Sequence, residues 1–263
     1  MKLAYERQGS GMPLVLIHGL GSASTAWRTI MKTLAKEFDA IAFDLPGHGQ
    51  TPYHHGIPMD PKSLGELVVK NLDDLKIDRF HIVGNSLGGW ISLEIAAAHP
   101  ERVISVTALA PAGLWHHPFT KVSKWTAINR TMAVLTVPFQ PRLIEKEWAK
   151  RLGFKVTSPR WKKLPAEICL DAGRAMGRSR GYFPAWEAIL NRRFDAKIDS
   201  RIPVTVVFGD SDETLPYPAC QARELAPPHA KWVVLKETGH APMWDEPEII
   251  IDLIRETKTA DAK

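Results

Sequence analysis

The ten residues HIVGNSLGGW, His81 to Trp90, run an apolar segment straight into a serine flanked by glycines. Gly84 stands two positions before Ser86 and Gly88 two after it, with Gly89 following. Small residues at those spacings suit a tight turn from a strand into a helix, where a bulky neighbour would strike the strand or the helix backbone. Two readings follow for Ser86. It caps the helix N-terminus, as serine often does, or it is a nucleophile raised on the turn. The rest of the chain has to separate them.

Outward from this turn, short β-rich runs alternate with helical patterns. The candidate strands are KLAYER (Lys2–Arg7), PLVLIH (Pro13–His18), AIAFDL (Ala40–Leu45), RFHIVG (Arg79–Gly84), VISVTALA (Val103–Ala110), PVTVVFG (Pro203–Gly209) and KWVVLKE (Lys231–Glu237). From the second onward most are nearly continuous apolar runs, as expected of parallel strands buried on both faces. Helices are expected over Ala26–Phe38, Pro61–Leu75, Gly88–His99, Pro218–Leu225 and Pro247–Thr257, each about the length of a βαβ crossover. The pattern predicts an α/β fold with a doubly wound, mostly parallel sheet. The closing TKTADAK, Thr257–Lys263, is expected to fray.

The alternation stops after Ala110 and resumes at Pro203. The intervening ~80 residues, enough for a small domain, look helical and hold Trp115, Trp125, Trp148, Trp161 and Trp186. His116 to Asp195 carries 16 lysines and arginines against 6 acidic residues, an excess of 10 in a chain whose net charge is +5. Everything else is therefore acidic on balance. We read the chain as a core over residues 1–115 and 196–263, with a helical cap, 116–195, inserted after the sixth strand above the sheet's carboxyl edge. Its aromatics are expected to form mostly its own small core, with some lining a pocket over Ser86. The basic excess is a solvated face, or it attracts an anionic substrate or a membrane surface. Arg174, Arg178 and Arg180 are candidates for contact with a substrate carboxylate.

Composition narrows the classes. With 44% hydrophobic and 24% charged residues the chain reads as globular rather than disordered. Its two cysteines, Cys169 and Cys220, are too few and too far apart for a disulfide framework or a cysteine zinc site. The N-terminus lacks the apolar core of a signal peptide, and no apolar run approaches the ~20 residues of a membrane span. A cytoplasmic protein is the expectation. No motif points to nucleic acid. The pairs His54–His55 and His116–His117 lack metal-ligand spacing, because adjacent side chains point apart. Oligomeric state is open.

A serine hydroxyl needs a base within hydrogen-bond reach, and that base needs a carboxylate to fix its tautomer. Both are present at the ends of later strands. DSDETLP after PVTVVFG offers Asp210 and Asp212, and TGHAPMWDEP after KWVVLKE offers His240. The order Ser, Asp, His belongs to one particular fold.

On these residues the chain resembles the α/β-hydrolase superfamily over nearly its whole core. HGLG (His18–Gly21) is similar to the family's oxyanion loop, and DLPGHGQT (Asp44–Thr51) to the loop after the next strand. GNSLGG is similar to the nucleophile elbow, GDSDETLP to the acid loop and GHAPMWDEP to the histidine loop. The acid stands three residues after Gly and four before Pro in the family, which selects Asp212 over Asp210. The resemblance implies Ser86, Asp212 and His240 as catalytic residues. It implies the backbone N–H groups of Leu87 and Leu20 as oxyanion donors, with Gly19 as the fallback for Leu20. His18 and His48 read as structural loop residues, and Trp27 and Trp90 as core.

The implied chemistry is cofactor-free acyl transfer to water on a small molecule with a carbonyl centre. An esterase for a small or medium hydrophobic carboxylic ester leads. Asn85 before the serine is similar to C–C bond hydrolases of meta-cleavage pathways, although Ala241 stands where those enzymes carry tryptophan. GHAPMW is also similar to haloperoxidase-like perhydrolases. A ligand receptor on the same scaffold is the alternative from another class.

Overall fold

The computed structural model describes residues 1–259. Seven strands form one sheet: β1 (Tyr5–Gly9), β2 (Met12–Ile17), β3 (Phe38–Phe43), β4 (Phe80–Asn85), β5 (Val103–Leu109), β6 (Val204–Gly209) and β7 (Lys231–Leu235). Their order is β1-β3-β2-β4-β5-β6-β7, with β1 antiparallel to β3 and every other pair parallel. All seven expected strands are present. Every residue of β3, β4, β5 and β6 is buried, which explains their unbroken apolar character.

Alternate side chains of each strand feed two separate cores. Val15, Ile17, Ile41, Phe43, Ile82, Val106 and Phe208 pack on the face covered by α2 (Pro61–Asp74) and α3 (Leu87–Ala98). Leu14, Leu16, Ala40, Ala42, Val83, Leu109 and Val207 pack on the other, under α1 (Arg28–Leu34) and the C-terminal helix, Pro247–Thr259. Asp60 caps α2 by accepting the Ser63 N–H at 3.1 Å, with Pro61 at the first helical position. Residues 260–263, within the stretch expected to fray, lie outside the described residues.

Two expected helices differ. The one expected over Ala26–Phe38 is a 3₁₀ turn, Ser24–Trp27, followed by α1 ending at Leu34. Phe38 pairs with Met12 and opens β3 instead. Pro218–Leu225 is not an α-helix; only Arg223–Leu225 winds, as 3₁₀. Its backbone is taken by tertiary partners: His116 N–H donates to Ala219 O, and Ala222 N–H to Leu114 O. Those bonds replace the i→i−4 ladder.

The insertion follows the fifth strand of this sheet rather than a sixth, because β1 is the only strand before β2. It contributes α4 (Lys124–Thr136), α5 (Gln140–Leu143), α6 (Glu147–Phe154), α7 (Ala166–Arg178) and α8 (Tyr182–Ile189). The helices after β7 are α9 (Pro242–Asp245) and α10, the C-terminal helix. Phe154, Trp161, Leu164 and Cys169 make a small core of its own, as expected. Trp125 and Trp148 do not join it and are exposed, a departure from the expected aromatic core. Trp27 and Trp90 are core residues, and Trp90 begins an edge-to-face row with Trp115, Phe119 and Trp186 that reaches α8. Among the described residues, no helix is long and apolar enough to cross a membrane.

The strand order reverses at β2, so the loops after β2 and β4 open side by side at the sheet's carboxyl edge. That arrangement requires α3 to cross the end of β2 at close range. A Cβ on Gly88 would lie 2.0 Å from Ile17 O. Gly88→Ala is expected to destabilise the fold by about 3 kcal/mol, at the upper end for overpacking because the obstacle is backbone. Urea unfolding measures it, and a loss below about 1 kcal/mol would mean the crossing can widen.

Candidate active site

Ser86 sits between β4 and α3 with φ 56° and ψ −117°, a left-handed conformation that a serine holds only at a cost of ~1–3 kcal/mol. Its backbone is clamped at both ends. Its N–H donates to Leu109 O at 2.9 Å, and its carbonyl accepts from Trp90 N–H at 3.1 Å and Ala112 N–H at 2.9 Å. Gly84 belongs to the same construction, since a Cβ there would lie 2.0 Å from Gly88 O. The Ser86 side chain makes no cap hydrogen bond to α3, so the capping role is not the one it plays. Leu87 opens α3, and its N–H is among the amides that a helix N-terminus leaves without an intrahelical acceptor.

The loop after β2 lies directly against this turn. A Cβ on Gly19 would lie 3.0 Å from Ser86 Cβ, and Leu20 follows it in the same loop. His18 shapes the loop. Its Nε2 accepts the Leu45 N–H at 3.0 Å, so its proton resides on Nδ1, which donates to Gly19 O at 2.7 Å. Burial lowers its pKa from 6.5 to about 4, despite the bond to Gly19 O. The ring of His48, 5.3 Å away, is lowered to about 3, by burial first and then by His18. Both are structural, as expected from the sequence.

Asp212 and His240 meet at the ends of β6 and β7. His240 Nδ1 lies 2.8 Å from Asp212 Oδ2, and both residues are buried. The other carboxylate oxygen accepts from the Thr214 N–H at 2.8 Å and the Leu215 N–H at 2.7 Å. Burial opposes ionisation of Asp212, but His240 and those two amides outweigh it and hold the carboxyl below its usual value. Asp210 is exposed, and its carboxylate accepts from the Ser211 hydroxyl next to it. Of the two, Asp212 is the carboxylate that meets His240.

Asn85 joins the serine turn to the histidine loop, a role the sequence did not disclose. Its Nδ2 donates to His240 O at 2.9 Å and to Leu109 O at 3.1 Å. The insertion holds the loop from the other side. His240 N–H donates to Thr157 O at 2.8 Å, and Ser158 Oγ donates to the Asp245 carboxylate. The second Asp245 oxygen accepts the Gly239 N–H at 2.8 Å. Burial pushes the Asp245 carboxyl above its usual value against these bonds. The signal in the sequence was an acid, Asp245, five residues after His240 in the same loop. Arg174, Arg178 and Arg180 are exposed, so they are not gathered into a buried carboxylate site. The buried arginine of the insertion is Arg130, bonded to Ser179 O at 2.8 Å. Among the described residues no three metal-ligating side chains converge.

This fold and this geometry match a known family. The chain belongs to the α/β-hydrolase family, whose pattern, described as alpha/beta hydrolase fold, spans residues 12–247. It is 27% identical over 270 residues to pimeloyl-(acyl-carrier protein) methyl ester esterase of Aeromonas hydrophila, covering 97% of this chain and 98% of that one. It is 39% identical over 109 residues to 2-hydroxy-6-oxo-2,4-heptadienoate hydrolase of Pseudomonas putida, covering 40% of each chain. Among solved structures, a bacterial membrane phospholipase A superposes with a TM-score of 0.73 and 25% identity, over 99% of this chain and 83% of that one.

The two buried histidines predict a pH response. Each is neutral in the fold down to about 4 (His18) and about 3 (His48), whereas unfolding restores the ordinary 6.5. Stability from this pair is therefore complete above pH 6.5 and falls as pH drops toward those folded values. Near pH 5 each histidine takes up one proton on unfolding, a slope of about 1.4 kcal/mol per pH unit. Urea titrations across this range measure the slope. In His48→Gln it is expected to fall by about that amount; an unchanged slope would mean His48 titrates normally.

Proposed function

We propose that the protein is a serine hydrolase that cleaves small-to-medium hydrophobic carboxylic esters through an acyl-enzyme. The observation that carries this reading is the 2.8 Å contact between His240 Nδ1 and Asp212, on a loop that Asn85 ties to the strained Ser86 turn. In this reading Asp212 keeps the proton on Nδ1 and leaves Nε2 free to act as base. His240 removes the Ser86 proton as Oγ attacks the ester carbonyl. The carbonyl π electrons move onto oxygen, and the N–H groups of Leu87 and Leu20 receive that oxyanion. The oxyanion collapses, the C–O bond to the alcohol breaks, and His240 returns the proton to the leaving alkoxide. Water repeats the cycle on the acyl-enzyme and releases the carboxylic acid.

The close fit of the Gly19 loop against Ser86 supports its role as oxyanion loop. Residues 116–195 act as the cap in this reading, because Thr157 and Ser158 already grip the histidine loop. The full-length likeness to a methyl ester esterase favours ester chemistry. C–C bond hydrolysis is the second reading, favoured by the partial likeness to the heptadienoate hydrolase and by Asn85. Ala241 departs from it.

Hydrolysis of p-nitrophenyl acetate, butyrate and octanoate tests the proposal. Ser86→Ala and Asp212→Asn are each expected to lower kcat by ~10⁴-fold, while Asp210→Asn stays within about twofold of wild type. Wild-type inactivity on all three esters, or activity surviving in Ser86→Ala, would remove the esterase assignment and bring C–C hydrolysis forward.

A further inference from the structure

Helix α4 is built inside out. Its single buried residue is Arg130, whose guanidinium donates to the carbonyls of Ser179 and Gly177 and lies 5.8 Å from the Tyr182 ring. It packs on α7 through small groups, with Ala133 O only 2.7 Å from where a Gly177 Cβ would stand. The apolar side chains point the other way. Trp125, Ile128, Met132 and Leu135 recur at i, i+3, i+7 and i+10, one face of a helix, and all four are exposed, Trp125 by 74%. A soluble helix normally turns that stripe inward.

Helix α6, which also packs on α7, buries Phe154 but turns other large apolar groups out. Trp148 and Leu152, at i and i+4, are exposed by 65% and 80%. Cations flank both stripes along the chain. Lys121 to Lys155 contains eight lysines and arginines against Glu145 and Glu147, and Lys124, Lys146, Arg151 and Lys155 are exposed. Glu147 is itself paired with Lys162 at 2.7 Å.

Charge decides what fits this face. Two copies meeting through it would bring like charges together. An aqueous anion would satisfy the lysines but leave the tryptophans and leucines in water. An anionic bilayer satisfies both, since its headgroups attract lysine and arginine while its interfacial region accepts tryptophan and aliphatic side chains. We propose that the outer face of α4 and α6 docks reversibly on anionic lipid membranes. The bound insertion is the element whose Thr157 and Ser158 hold the histidine loop, so docking sets that loop next to the membrane.

The test is co-sedimentation of the whole chain with vesicles of pure phosphatidylcholine and of equal parts phosphatidylcholine and phosphatidylglycerol. Binding to the mixed vesicles is expected to exceed binding to the neutral ones by ~10-fold or more, and to weaken at high salt. Trp125→Ser with Leu135→Ser, and separately Trp148→Ser with Leu152→Ser, should each cut that binding by ~10-fold. Thermal unfolding and wild-type-like circular dichroism establish that these surface variants fold. Equal binding to both vesicles, or none, would overturn the proposal. So would variants that bind as wild type does, which would mean bare charge adsorption. A wild-type dimer in analytical ultracentrifugation that the variants abolish would assign the face to a second copy instead.

Discussion

The structure depends on one close crossing: the first turn of α3 passes over the carboxyl end of β2 with no room for a side chain at Gly88 or Gly84. Backbone meets backbone there, so Ile17 O, Gly88 and Gly84 set the position of everything near them. The left-handed Ser86 sits at the vertex, held by bonds to Leu109, Trp90 and Ala112 that oppose its strain. The same proximity brings the Gly19 loop against Ser86, because that loop is the continuation of β2. The position of Ser86 and that of the Gly19 loop are thus consequences of one packing constraint rather than two separate arrangements.

The histidine loop is fixed from three directions. Asp212 holds the ring, Asn85 holds the carbonyl of His240, and Thr157 holds its amide. Each partner comes from a different part of the chain: the end of β6, the end of β4 and the insertion. Buried polar groups are costly unless satisfied, and here the satisfied network is also the means of orientation. Asp245 extends the network, spending both carboxylate oxygens on Ser158 and Gly239. A single lost bond would therefore loosen the loop without unfolding the sheet.

The insertion divides into two parts with opposite logic. Around Phe154, Trp161 and Cys169 it packs as a globular segment and bonds to the histidine loop. Along α4 it buries an arginine, and along α4 and the outer side of α6 it turns large apolar groups out. Six of the ten excess positive charges of the insertion fall between Lys121 and Lys155, the stretch that holds α4 and α6. Hydrophobicity alone would have placed those tryptophans inside, and the folded chain places them where a partner surface would have to cover them.

The sequence by itself determined the strand count and the parallel core, and it supplied the candidate site's residues. Those are written in local pattern: unbroken apolar runs, glycines two either side of Ser86, and an acid and a histidine each just past a strand. The preference for Asp212 over Asp210 came only through resemblance; in the fold Asp212 meets two backbone amides and the buried His240 ring. Only the tertiary structure decided that Pro218–Leu225 is not an α-helix, since the Ala222 amide is claimed by Leu114 and the Ala219 carbonyl by His116. It alone decided which way α4 faces, and that Asn85 and Asp245 bind the histidine loop. A helical stripe looks the same in sequence whether it faces a core or solvent, and a hydrogen bond across 155 residues leaves no local periodicity.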